Sequence, residues 1–301
     1  MIIVGACWNR TVLTERVERW REEGTLEDVL GRQLFVLRRE GNGPLLLFLH
    51  GFPSCSYDWK HLLALRPEAN VLAFDFLGFG LSEKPRDHVY TLAWQADAAE
   101  ELVRRAGGSQ VFVVAHDMGT SVATELMARD LRGELGFEMP GALLFNGSML
   151  IHLSSPTVGQ KLLRSRLGSV FARLTSERSF RAQFARIFSD EHPLSAEEAA
   201  DQWALLSHDG GQRVAHRTIH YMAERERFTE RWHGAIRDWP GALRLAWGMR
   251  DPVATVAVLD GLRELRPGVE VVEQPDAAHY PQIECPERIA AAVDAAMSDL
   301  R

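Results

Sequence analysis

The stretch Val111-Phe112-Val113-Val114-Ala115-His116-Asp117-Met118-Gly119-Thr120, continued by Ser121-Val122-Ala123-Thr124-Glu125-Leu126-Met127-Ala128-Arg129, decides how the chain is read. The first five residues are wholly apolar, as in a strand buried on both faces, and the segment from Ser121 is helix-like. Only a sharp turn fits between them. Strand, sharp turn and helix is the setting that exposes a nucleophile at the top of a parallel sheet. The residue at this turn is Asp117. A carboxylate there is suited to displacing a leaving group at a saturated carbon and becoming an ester, whereas a serine alkoxide is suited to attacking carbonyls. The chemistry expected is alkyl transfer to Asp117 followed by hydrolysis. Ser121 lies beyond the turn, on the helix, and is discounted as a nucleophile.

The same apolar signature recurs outward from this point, at residues 45–49, 70–74, 142–145, 243–247 and 269–272, with residues 32–39 reading as a first strand. Gly41-Asn42-Gly43-Pro44 reads as a turn. Helical segments such as 92–106 and 121–132 separate most of the strands, which implies right-handed crossovers and an α/β fold with a doubly wound, mostly parallel sheet. Between Phe145 and Leu243 roughly 95 residues show helix-like patterns and no convincing strand. The helical segments expected there include 158–174, 177–188, 196–206 and 211–226, with Ser195-Ala196-Glu197-Glu198 opening one like a capping box. The sheet pattern then resumes, and a helix over 286–300 closes it. The expected organisation is a core of residues 1–147 and 241–301 with a helical lid at 148–240.

Composition narrows the function classes. A net charge of −7 in 301 residues, with Lys and Arg scattered among acids, leaves no basic face for nucleic acid. Cys7, Cys55 and Cys285 are odd in number and lack metal-ligand spacing, which suits reduced thiols in a cytoplasmic setting. The apolar start Met1 to Trp8 lacks a basic n-region and meets Arg10 too soon for a signal peptide. No apolar run approaches the ~20 residues of a membrane span. The histidines show no metal-binding pattern, so neither a metal nor an organic cofactor is expected.

Two further groups complete a catalytic order of nucleophile, acid and histidine, each in a loop after a strand. Asp251 in Trp247-Gly248-Met249-Arg250-Asp251-Pro252 follows a late strand, and His279 in Ala277-Ala278-His279-Tyr280-Pro281 follows the last one. His50-Gly51-Phe52-Pro53 comes directly after the strand at 45–49, where Gly51 permits a turn that aims an N–H inward. The amides of Phe52 and Met118 would then form an oxyanion hole around the aspartyl carbonyl, with His116 and Gly119 supporting the turn. Cys55 has no adjacent base and reads as a packing residue.

Together His50-Gly51-Phe52-Pro53, the run from Asp75 to Pro85 (DFLGFGLSEKP), His116-Asp117-Met118-Gly119, Asp251 and His279 resemble the α/β-hydrolase superfamily, in its epoxide hydrolase and haloalkane dehalogenase branch. The segment from Gly51 to Trp59 (GFPSCSYDW), Phe145-Asn146-Gly147, the run from His220 to Phe228 (HYMAERERF) and His279-Tyr280-Pro281-Gln282 are similar, more particularly, to the mesoderm-specific transcript protein group. The resemblance implies a catalytic triad in which Asp251 orients His279. It also implies a choice of leaving group. Haloalkane dehalogenases hold the departing halide with a tryptophan directly after the nucleophile and an Asn or Trp elsewhere; here those places hold Met118 and Phe52, and Trp203 or Trp232 would have to substitute. Epoxide hydrolases protonate the departing alkoxide from lid tyrosines, and Tyr221 stands on a late lid helix. A second lid tyrosine is missing, which leaves His216, His220 or Tyr221 acting alone. Fluoroacetate dehalogenases place arginines beside the nucleophile, and Met118 to Ser121 supply none.

The function expected is therefore hydrolysis of a hydrophobic epoxide to a diol through an ester of Asp117, with His279 as general base, Asp251 orienting it and Tyr221 as proton donor. Haloalkane dehalogenation, another hydrolase chemistry on this fold, and a partner-binding protein without catalysis are the alternatives. Leu162, Leu163, Phe180, Phe184, Ile187 and Phe188 are expected around the substrate. The residues ahead of the first strand are open to three readings: a strap for the lid, a dimer contact or a plain extension.

Overall fold

The computed structural model describes residues 12–298; Cys7 and the apolar start at 1–8 lie outside the described residues, as does the end of the helix expected to reach 300. Eight strands form one sheet in the order β1-β2-β4-β3-β5-β6-β7-β8. They are β1 Thr25–Val29, β2 Arg32–Arg39, β3 Asn42–Leu49, β4 Ala69–Phe74, β5 Gln110–His116, β6 Glu138–Phe145, β7 Ala242–Gly248 and β8 Glu270–Gln274. The pairs from β4 through β3, β5, β6 and β7 to β8 are parallel, and the β1–β2 hairpin is antiparallel at one edge. The α/β-hydrolase architecture with a mostly parallel sheet is thus the fold of this chain.

The apolar runs are explained by the two faces they serve. Leu45, Leu47, Leu49, Val111, Val113 and Ala115 pack on one side of the sheet, while Leu46, Phe48, Phe112 and Val114 pack on the other. Period-2 alternation inside an all-apolar run is what helices on both faces demand. The first face is covered by α2 (Leu92–Arg105) and α3 (Met118–Asp130), through Ala99, Leu102, Val122 and Leu126. The second is covered by α1 (Glu15–Glu23) and the C-terminal helix, through Val17, Trp20, Ile289 and Val293.

Six helices of at least seven residues lie between β6 and β7: α4 Val158–Arg164, α5 Gly168–Leu174, α6 Glu177–Phe184, α7 Ala196–Ser207, α8 Tyr221–Arg227 and α9 Thr229–Asp238. After β7 come α10 (Val256–Leu265) and α11 (Pro286–Ser298).

Several local expectations need correction. The strand read as first is the second, because Thr25–Val29 is a largely exposed edge strand without an apolar run. Gly41-Asn42-Gly43-Pro44 is partly strand, since β3 begins at Asn42 with an irregular register up to Leu46. The helix expected over 158–174 is two, because Ser165 turns extended, bonds Leu162 O through its hydroxyl at 2.7 Å and accepts from the Leu167 amide at 3.2 Å. The segment 211–226 is likewise broken, by 3₁₀ turns at 208–213 and a fresh start at Tyr221. Ser195 caps α7 by accepting from the Glu198 amide at 3.0 Å, but the Glu198 carboxylate turns to Gln202 and Lys60, so the reciprocal half of the capping box is not made. Helix α9 was not anticipated. Of the readings for the N-terminal stretch, the described part acts as a strap: Thr14 and Arg16 both bond Asp201 of α7, Arg16 at 2.7 Å.

Candidate active site

Asp117 alone joins β5 to α3, at φ 43° and ψ −108°. This backbone region is costly for a residue with a Cβ and is held by its surroundings. The Asp117 amide donates to Phe145 O at 3.3 Å, and the Thr120 amide donates to Asp117 O at 3.2 Å. The turn is also crowded from below and above. A Cβ at Gly119 would sit 2.2 Å from Leu49 O, and one at Gly51 would sit 2.8 Å from the Asp117 Cβ, so both positions require glycine for close approach.

The Phe52 amide donates to Asp117 Oδ2 at 2.9 Å. Met118, the other residue expected in the hole, opens α3 directly after the turn, and its amide makes no hydrogen bond to the carboxylate among the described contacts. His50 fixes the Phe52 turn, because its Nε2 accepts from the Phe76 amide at 2.8 Å and its Nδ1 donates to Gly51 O at 2.8 Å. Burial pushes its pKa down to about 3, so His50 is a neutral brace. His116 is another: burial, with His279 nearby, holds it well below the usual histidine range. It donates from Nε2 to His279 O at 2.7 Å and accepts at Nδ1 from Gln282 at 3.1 Å.

His279 donates from Nδ1 to Asp251 Oδ2 at 2.7 Å, which leaves Nε2 as its basic nitrogen. Burial pulls its pKa down, the Asp251 carboxylate and then Asp117 pull it up, and the net result lies above the ordinary 6.5. Asp251 is fully satisfied. Its Oδ1 accepts from the amides of Val253 and Ala254 at 2.7 and 3.1 Å, and its Oδ2 accepts from Asn146 Nδ2 at 2.7 Å. Asn146, at φ 48° beyond β6, also accepts the Gly248 amide on Oδ1 at 2.9 Å, so one side chain ties the ends of β6 and β7 to the acid. Glu284 collects the amides of Ala278, Tyr280 and Ser189 at 3.0 to 3.1 Å, and the His279 amide donates to Ile187 O at 3.1 Å. The histidine loop is thereby fastened to the inserted helices.

Tyr221 opens α8 and is buried, its ring 5.8 Å from that of Phe52. Burial and then the charge of Asp117 hold its phenol well above the usual tyrosine range. Gln160 stands near this phenol and pulls it slightly down; its Oε1 is occupied by the Thr157 amide at 2.7 Å, so it can offer the tyrosine oxygen only its NH₂. Arg225, one turn further along α8, is 1% exposed. It bonds Ser121 Oγ at 2.7 Å and Asp117 O at 2.8 Å, lies 3.8 Å from Asp117 Oδ1, and covers the Tyr221 ring at 4.7 Å. An arginine therefore does stand beside Asp117, supplied by the insert and not by the residues that follow the turn.

A cavity of about 740 Å³, including its mouth, opens above Phe52, Pro53 and His279. Leu163, Phe180, Phe184 and Ile187 line it as expected; Phe171 and Val253 were not anticipated. Leu162 instead faces outward, and Phe188 stacks on Tyr280 at 5.4 Å. His216 and His220 line a separate groove. Trp232 spends its indole N–H on Glu125 at 2.8 Å, and Trp203 packs against Phe180 at 5.7 Å. Cys55 and Cys285 are free and buried, and burial raises both thiols.

Asn146, Gln160, Arg225 and Glu284 were not assigned roles from sequence. Asn146 and Arg225 lay inside quoted motifs, and an uncharged amide after a strand or an arginine in a charged helix carries no local sign that it will be buried.

The comparisons with known proteins agree with this architecture. The model of the alpha/beta hydrolase family matches residues 46–292. LipZ of Mycobacterium tuberculosis is 49% identical over 276 residues, covering 92% of this chain and 96% of that protein. The mesoderm-specific transcript protein of Mus musculus is 30% identical over 287 residues, covering 91% and 85%. Among solved structures, the haloalkane dehalogenase DbeA from Bradyrhizobium elkani superposes with a TM-score of 0.77 at 22% identity, over 92% of this chain and 98% of that one. With a matching family model over most of its length and the fold to go with it, the chain belongs to the alpha/beta hydrolase family and is a hydrolase.

Proposed function

We propose that this hydrolase opens hydrophobic epoxides through an ester of Asp117. The observation that carries the reading is the carboxylate at the sharp turn with one oxygen already bonded to the Phe52 amide and the other free of that bond. Asp117 Oδ1 attacks the less hindered epoxide carbon, the ring C–O bond breaks, and the departing oxygen takes the Tyr221 proton. His279 Nε2 then removes a proton from water, which attacks the Asp117 carbonyl carbon while Oδ2 carries the developing charge against the Phe52 amide, with Met118 as a second donor. The tetrahedral adduct then collapses: the bond from the Asp117 carbon to the diol oxygen breaks, that oxygen takes the proton held by His279, and the proton of the carboxylic acid left on Asp117 restores Tyr221. Asp251 orients His279, and Asn146 orients Asp251.

Epoxide is favoured over haloalkane by what stands near the nucleophile. A buried phenol has its proton available, whereas the Trp232 indole that would cradle a halide is taken by Glu125. The inserted residues 148–240 act in this reading as a lid on a core of residues 1–147 and 241–301, and Phe180, Phe184 and Phe171 offer an apolar wall to the substrate.

The test is intact-protein mass of His279→Gln after exposure to styrene oxide, bromohexane or p-nitrophenyl butyrate. Addition of one whole epoxide mass, absent in Asp117→Ala, is the expected result. An alkyl adduct without bromine would assign haloalkane chemistry, and full turnover by Asp117→Ala would sink the mechanism.

A further inference from the structure

The inserted helices carry a second feature that the reaction does not use. Residues 158–174 contain Lys161, Arg164, Arg166 and Arg173 and no carboxylate. Folding brings the three arginines up to Arg213 and Arg217, from the segment after α7, and to Arg86 from the core. These six line one wide groove whose wall contains no acidic residue. Arg164 is shared with Glu226 at 2.9 Å, while Arg166 and Arg173 have no ion pair among the described contacts. The contributing segments are far apart along a chain that is acidic overall, so the net charge hides this basic face; the fold assembles it.

The same two helices turn apolar side chains outward. Val158, Leu162, Leu167, Val170 and Leu174 are five of the twelve exposed large apolar residues among those described, a concentration that seventeen residues of surface do not produce by chance composition. Leu167 and Leu174 are 69% and 74% exposed. A free phosphate would need only the groove, and a nucleic acid would engage the arginines but leave the leucines and valines in water. A lipid surface satisfies both sets at once, with apolar side chains entering the boundary between headgroups and acyl chains and guanidinium groups binding phosphates.

We propose that the outer face of α4 and α5, with the arginine groove beside it, docks on a bilayer containing anionic lipids. Docking there has a geometric consequence. Leu163 lines both the groove and the catalytic cavity, and Phe171 of α5 lines the cavity, so the face that meets the bilayer is the outer wall of the chamber above Phe52 and His279. A substrate dissolved in the lipid reaches that chamber across one layer of side chains. The docking itself does not depend on which bond the site breaks.

The test is flotation of the full chain with phosphatidylcholine vesicles and with the same vesicles doped with phosphatidylglycerol, at low and high salt. The wild type is expected to float with the doped vesicles only, and to be released by salt. Arg166→Gln with Arg173→Gln should weaken binding about 25-fold, since each basic residue near an anionic surface contributes about fivefold. Leu167→Asn with Leu174→Asn should weaken it about tenfold or more. Thermal unfolding of both double variants, which change only exposed side chains, should match the wild type. Equal binding to neutral vesicles, binding that survives both double variants, or no vesicle binding would overturn the proposal. Binding of polyphosphate or a single-stranded oligonucleotide without vesicle binding, lost in the arginine variant, would assign the groove to a soluble anion or to nucleic acid instead.

Discussion

Replacing Asn146 should loosen the acid that orients His279 without touching either residue. Asn146→Gly removes the 2.7 Å donor to Asp251 Oδ2 and the 2.9 Å acceptor of the Gly248 amide, while glycine keeps φ 48° without strain. A hydrogen bond to a charged group contributes about 1.5–3 kcal/mol and a neutral one about 1 kcal/mol, so the loss in stability should be about 3 kcal/mol. Asn146→Ala removes the same bonds and forces a Cβ into the left-handed region, which costs about 1 kcal/mol more. Asn146→Asp keeps the acceptor for Gly248 and sets a second carboxylate against Asp251, so its stability should fall as pH rises and the pair ionises. Chemistry should respond as well. With one donor fewer, Asp251 holds more charge toward His279, whose pKa already lies above 6.5, and the ascending pH limb of ester hydrolysis should move up by about half a unit to one unit. Urea denaturation gives the stabilities, and the decay of the styrene oxide adduct followed against pH gives the limb. An Asn146→Ala protein as stable as Asn146→Gly, or a limb that stays in place or moves to lower pH, would refute this account of the acid's support.

Ester hydrolysis by the wild type should rise with pH as His279 loses its proton, because His279 must be neutral to act as base; Asp251→Asn should move the midpoint of that rise down and slow the step by about two to four orders of magnitude, read as adduct decay. Stability should fall in acid, since burial depresses His50 to about 3 and His116 well below 6.5: both remain neutral in the fold while the unfolded chain takes up protons, and each removes up to about 1.4 kcal/mol per pH unit below 6.5. His279, raised in the fold, contributes in the opposite sense, a stabilisation complete below 6.5 and lost as pH rises through its folded value, so His279→Gln should lower stability below 6.5 by a constant amount and leave the slope there unchanged; urea midpoints that do not change between neutral and acid pH would contradict this. Gln160→Leu removes the amide beside the Tyr221 phenol, and should slow formation of the adduct about tenfold while leaving its hydrolysis unchanged, as single-turnover mass measurements would show.

The sheet was legible because its central strands are buried on both faces, which writes them as apolar runs; the edge strands β1 and β8 are partly exposed and carry charged residues, and of the two β1 went unread. Asp117, Asp251, His279 and Phe52 were legible because each follows a strand in the order the fold imposes, and the structure brings them together. The inserted helices were harder. Their breaks at Ser165 and at residues 208–213 depend on side chains bonding backbone locally, which periodicity does not register. Gln160 and Arg225 depend on which insert helix meets which part of the core, a tertiary fact. The arginine groove shows the same limit from the surface side, since a net charge of −7 describes the chain and not any one face.

The fastenings of the insert are unevenly distributed. Helix α7 is bolted to the core by Tyr57 and Arg16 on Asp201, α8 by Arg225 on Asp117 and by Glu224 on the Leu92 amide, and α9 by Arg231 and Trp232 on Glu125. The corner near His279 is riveted by Glu284. Helices α4 and α5 are tethered differently: Arg164 reaches Glu226, within the insert. The roof above the chamber is therefore hung within the insert, while the frame that holds Asp117, Asp251 and His279 is tied to the core. A cross-link across α4 and α5 is expected to slow exchange of product and leave single-turnover adduct formation unchanged.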